Sequence, residues 1–209
     1  MNPYVATGLA MCAILFLAIA GTAYLAVFFN RRAKADMEAT ITPLAEAIGG
    51  TVDVDEATLE GRYDGTIAQA RVTGAEGGAG RVFQIDLIDA AGGARWRYRS
   101  IAHRDSPDPT SEFDSTRADL RLALDPEFAI EKLRTIANPS KHWFWLEYDP
   151  EGGYVRLTSP MQTRRDIPDL EAFMARLAYL RELGNANRAV QQVDVDVARD
   201  ANAKTEAAS

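Results

Sequence analysis

YVATGLAMCAILFLAIAGTAYLAVFF, residues 4–29, holds no Asp, Glu, Lys, Arg or His across 26 positions. As an α-helix this stretch spans roughly 39 Å at about 1.5 Å per residue. The hydrocarbon core of a bilayer is about 30 Å thick, so the segment crosses it with room for tilt. Helix is the form expected there, because it pairs its own backbone groups where no water can. Tyr4 lies near one end, and Tyr24, Phe28 and Phe29 lie toward the other. Aromatic side chains favour both membrane interfaces, so this spacing fits an aromatic belt.

A cleavable signal peptide is the rival reading, since Ala18-Ile19-Ala20 before Gly21 resembles a small-residue cleavage site. The basic n-region is missing, and the apolar run continues well past that point. Signal h-regions are shorter, roughly 7–15 residues. The segment therefore reads as an uncleaved single-pass anchor.

The flanks suggest its direction. Arg31, Arg32 and Lys34 follow the span directly, and no Lys or Arg precedes it. The positive-inside bias puts the C-terminal domain in the cytoplasm of a cell-membrane protein. The same three residues are candidates for contact with anionic lipid headgroups. Within the span, Ala18, Thr22 and Ala26 recur every fourth residue. Small residues at that spacing permit close helix approach, which raises a weak case for a homodimer.

Beyond the anchor the charge reverses. The chain has 23 Lys+Arg and 30 Asp+Glu, and residues 1–35 hold three basic and no acidic residues, so the rest carries a net −10. Phosphate binding needs net basic patches, so nucleic acid is an unexpected partner. Cys12 is the only cysteine and lies inside the span. No intrachain disulfide can form.

Three regions follow from these patterns: an anchor with basic flank at 1–35, a soluble domain at 36–184, and a polar tail at 185–209, expected to be disordered toward its end. Asp36 to Ile48 reads as a helix that Pro43 kinks or restarts. Period-two patterns then recur from Val52 to Tyr98, with Asp64-Gly65 as a hairpin turn. His103 to Asp114 reads as a polar loop. Ala118, Leu120, Leu122 and Leu124 alternate with charged residues, which suggests a half-buried strand. Asp125-Pro126 suggests a helix start, continuing to Ala137. Lys141 to Asp149 and Tyr154 to Ser159 read as a hairpin. A last helix is expected from about Pro168 to Leu183, capped by Gly184. The fold class is α+β: one transmembrane helix, then a mainly antiparallel sheet of six to eight strands with two or three packed helices.

No motif for catalysis stands out. His103 sits in a Pro-rich loop without a nucleophile or a second histidine nearby, and His142 reads as an edge residue. Two histidines without a soluble cysteine make zinc an unexpected ligand. The acidic runs Asp53-Val54-Asp55-Glu56 and Asp194-Val195-Asp196 lack a calcium-loop pattern. The glycines of 74–80 lack the Lys-Ser/Thr of a phosphate loop. No cofactor is expected.

The most suggestive set is Arg95, Arg97 and Arg99. Period two puts them on one sheet face, with Trp96 and Tyr98 on the other. Such a row suits an anion or a protein partner, unless acidic neighbours such as Asp86 balance it on the adjoining strand. Arg164-Arg165 is a weaker case of the same kind. The leading expectation is a non-enzymatic, membrane-tethered domain that binds a protein partner or helps assemble a membrane complex. The alternatives are a membrane-surface enzyme or small-ligand domain, and an anionic-lipid sensor using the two basic sets.

Overall fold

The computed structural model describes residues 3–75, 80–88, 92–101, 110–137 and 143–206. Its first element is α1, Pro3–Ala47, 45 residues in one helix. At about 1.5 Å per residue that is roughly 68 Å. The apolar part is long enough to cross a membrane, and none of its described window is buried among the described residues. Ile14, Phe16, Leu17 and Ile19 are each well over half exposed.

The sequence suggests a kink or restart at Pro43; α1 does not restart there but runs through it. An interior proline forfeits a hydrogen bond and costs about 3 kcal/mol or more. Packing offsets that cost here, because Ile41, Leu44, Ala45 and Ile48 are all buried against the domain. The apolar stretch and the domain are therefore joined by one continuous helix.

Eight strands form a single sheet: β1 (Thr51–Asp53), β2 (Thr58–Tyr63), β3 (Thr66–Gly74), β4 (Arg81–Ile88), β5 (Trp96–Ile101), β6 (Thr110–Ser115), β7 (Trp143–Asp149) and β8 (Tyr154–Met161). Their spatial order is β1-β2-β3-β4-β8-β7-β5-β6. Every pairing is antiparallel. The β7–β8 hairpin is inserted between β4 and β5, an arrangement that local turn signals do not reveal. The turn between β2 and β3 is the expected one. Asp64 and Gly65 have φ of 48° and 76°, as a two-residue turn with a left-handed centre requires.

Three further helices, α2 (Asp119–Leu124), α3 (Ile130–Ile136) and α4 (Leu170–Glu206), join the end of α1 on one face of the sheet. That face is apolar from edge to edge. One row reads Leu59, Ala70, Ile85, Leu157, Leu146, Tyr98, Phe113 across seven strands. The first six are buried, and the helices supply Leu120, Leu124, Leu133, Phe173, Leu177 and Leu180 above them.

Four readings from sequence need correction. Residues 119–124 are helix, not strand: Leu120 and Leu124, four apart, are buried, while Leu122 is 82% exposed. Alternation put all three on one face; the helical repeat separates them. Asp125 continues from α2 into a 3-10 turn instead of opening a helix. Residues 110–114 belong to β6, not to a loop. Finally, α4 does not stop at Gly184 but continues to Glu206. Polar side chains beyond Gly184 hold it down. Asn187 accepts a hydrogen bond from Trp96 Nε1 at 2.8 Å, and Gln191 brackets Ala94, accepting from its N–H at 3.1 Å and donating to its carbonyl at 3.0 Å.

Candidate functional site

The face of the sheet turned away from the helices carries a charged row among aromatic and apolar neighbours such as Trp145 and Tyr154. Register aligns Glu60, Gln69, Asp86, Arg156, Glu147, Arg97 and Asp114 in one row over β2, β3, β4, β8, β7, β5 and β6. From Asp86 to Asp114 the charges alternate in sign at every strand.

The centre of this row is tightly paired. Arg156 makes a two-pronged contact with Asp86, Nε to Oδ1 at 2.6 Å and Nη2 to Oδ2 at 2.8 Å. Its Nη1 donates to Glu147 Oε1 at 3.1 Å. Arg97 donates to Glu147 Oε2 from Nε at 3.1 Å and from Nη2 at 2.8 Å. Arg71 adds a longer contact to Asp86, 3.4 Å. Planar guanidinium and carboxylate groups match in this fork geometry.

Asp86 and Glu147 are each only 4% exposed, although no helix among the described residues covers them. Long neighbours supply the cover: Arg156 stacks on Tyr154 at 4.1 Å, and Arg97 lies over Trp145 at 5.8 Å. Burial opposes the charge on Arg156, but its bonds to Asp86 outweigh that and raise its pKa. Burial also raises the Tyr154 hydroxyl.

The arginine row is thus divided by the structure. Arg97 and Arg99 share the open face, opposite Trp96 and Tyr98, as period two requires. Arg95 precedes β5 and is exposed at the rim of a neighbouring recess. The balancing acid is Glu147 on β7; Asp86 sits three strands from β5 and serves Arg156. No periodicity could have found Glu147 or Arg156, because their contacts depend on the inserted hairpin.

Toward the β6 edge the ladder opens. Arg97, Arg99, Glu112, Asp114 and Trp145 line a shallow recess of about 370 Å³. Arg99, Glu112 and Asp114 are exposed there. A second groove, about 680 Å³, lies between α1 and the loop before α4, with Thr40, Pro43, Arg164, Arg165, Ile167 and Leu170 among its walls. Arg164 is bound to Asp36 at 2.8 Å, which pins the loop to the helix.

The basic flank is on α1, where Arg31, Arg32 and Lys34 are all exposed. Lys34 forms an ion pair with Asp55 in the β1–β2 turn, which leans that residue toward the domain. Asp53, from the acidic run, accepts the N–H groups of Asp55 and Glu56 at 2.9 and 3.1 Å and so shapes the turn. Thr22 donates to the Ala18 carbonyl at 2.7 Å within its own helix. His103 and His142 lie outside the described residues. Among the described residues, no group of three or more His, Cys, Asp or Glu is placed to hold a metal ion.

One buried charge stands apart from this face. Arg176 on α4 is 3% exposed, and its Nε and Nη1 have no hydrogen-bond partner among the described residues. Burial pushes its guanidinium down to about 10, against some help from Asp169.

No family model, curated protein or solved structure matches the chain.

Proposed function

We propose that this chain is a single-pass cell-membrane protein whose C-terminal domain stands in the cytoplasm and binds a protein partner, without chemistry of its own, in the assembly of a membrane complex. The observation that carries the reading is the open sheet face. It is a broad charged surface whose central ions are paired and buried, while Arg99, Glu112 and Asp114 remain exposed at one end. Such a surface favours a partner of complementary charge pattern, since like-charge juxtapositions are penalised and opposite ones fix register.

The unbroken α1 supports the same reading. It leaves the span near Phe29 and first meets the domain five residues later, where Lys34 pairs with Asp55. That is about 8 Å of helix, which holds the face at a set height above the bilayer. Arg31 and Arg32 lie at the base of this stalk, where they suit anionic headgroups as an aid to anchoring. An anion sensor on the sheet face is less well supported, because Glu147 already serves both Arg97 and Arg156.

A photo-crosslinking amino acid in place of Arg99, in the intact chain in its native membranes, tests the partner. The control position is Glu46, exposed on α1. One crosslinked protein species from the first position and not from the second is expected. Equal yields from both, or none, would sink the reading. Orientation is tested by a reporter fused after Ser209: cytoplasmic activity is expected, and activity of an export-dependent reporter would reverse it.

A further inference from the structure

We infer that β6 is a docking edge, where an extended segment of the partner adds as a ninth strand carrying a basic–apolar–basic pattern. This rests on the partner-binding reading above and names the surface and the chemistry.

The two ends of the sheet differ. At one end, β1 is only three residues long and packs against α1. At the other, β6 has six residues and, among the described residues, a single strand neighbour, β5. A strand with one neighbour turns alternate backbone N–H and C=O groups outward, where another strand can bond to them. Residues 111, 112 and 114 are exposed along it.

The charge pattern selects the occupant. On the open face, signs alternate from strand to strand as Asp86, Arg156, Glu147, Arg97, Asp114. The neighbouring row ends with Arg99 and then Glu112. The sheet thus stops on two acidic positions, two residues apart along β6, and the next strand extends both rows only with a cation opposite each. Directly opposed unlike charges stabilise an antiparallel pair, and like charges destabilise it. Between the two cations, the incoming residue falls on the helix side beside Phe113. Phe113 is half-buried, 6.1 Å from Trp96 and 5.8 Å from Phe128, so an apolar side chain suits that place. Leu122 of α2, which touches β6 on this side, is 82% exposed.

A second copy of the chain is the competing occupant, and charge argues against it. Two β6 strands paired antiparallel about Phe113 would set Glu112 against the other copy's Asp114, acid on acid. The same acids guard the edge against self-association, as charged groups on natural edge strands do.

The test uses the full chain in nanodiscs of zwitterionic lipid and a short peptide alternating arginine and valine. Binding is expected, and backbone N-methylation of the peptide at alternate residues should weaken it about tenfold or more, since it removes ladder donors while keeping charge. In the double variant Glu112→Lys, Asp114→Lys the arginine peptide should weaken by a similar factor, and a glutamate–valine peptide should now bind. Binding that ignores N-methylation would show charge attraction without strand addition and overturn the inference. So would sedimentation as a dimer whose dissociation accompanies peptide binding, which would make the second copy the edge's occupant. If the arginine peptide fails to bind while the Arg99 crosslink to a partner persists, the edge site is wrong and the partner-binding reading survives.

Discussion

Arg156 is half-buried and Arg176 buried, and the structure assigns them opposite effects on stability. Arg156 is 11% exposed at its side chain and joins Asp86 to Glu147, themselves 6% and 5% exposed there. Replacing it leaves two carboxylates in a poorly solvated setting, which costs about 3–5 kcal/mol when one partner of a buried pair is lost. Arg156→Met should therefore lower the unfolding free energy of the intact chain in detergent by that amount, read from denaturation followed by tryptophan fluorescence; a loss under about 1 kcal/mol would show that the pair is in effect solvated. Arg176 has no such partners at Nε and Nη1. A guanidinium at about 10 is still charged at neutral pH, so the burial penalty is present there in full. Arg176→Met should stabilise the chain by about 1–4 kcal/mol in the same assay, as apolar replacements of buried charges do. A destabilised variant would mean that Arg176 is paired after all. The sequence showed Arg97 and Arg99 on one face because strand alternation is local. It did not show their counterion, since Glu147 is 50 residues from Arg97 in the chain and meets it only through the sheet.

At the scale of elements, α2 and α4 diverge from their sequence signals for one reason. In short or polar segments, periodicity is weaker than tertiary packing. Six residues of α2 fit period two and period four alike, and the choice falls to helix because Leu120 and Leu124 fit beneath α4. Gly184 and the polar residues after it read as a cap and a tail. They stay helical because Asn187 and Gln191 find Trp96 and Ala94, over 90 residues away. The close fit is visible at Gly93, with φ +95°, where an added Cβ would stand 2.2 Å from Gln191 Oε1. Ending the chain at Gly184 should thus cost about 2–4 kcal/mol, from the lost hydrogen bonds and the uncovered Trp96 side of the core. The measurement is denaturation of the shortened chain in detergent; an unchanged midpoint would return residues 185 onward to the status of a tail.

For the whole molecule, α1 joins a stretch long and apolar enough to cross a membrane to a segment packed against the sheet. Cys12, the sole thiol, is exposed on α1 and sits eight residues into the apolar stretch that begins at Tyr4. That is about 12 Å of helix, well within a 30 Å core. In intact proteoliposomes Cys12 should resist a charged maleimide and react fully after denaturation in SDS; rapid labelling before SDS would place the segment outside the bilayer. The long apolar helix, the α+β class and the Asp64-Gly65 turn were legible in the sequence, because each rests on neighbours in the chain: continuous apolarity, alternation, a left-handed pair. The strand order, the alternating charge ladder and the continuation of α4 were decided only by the tertiary structure. Each depends on groups that register brings together from distant segments, and a single sequence read locally holds no distance between them.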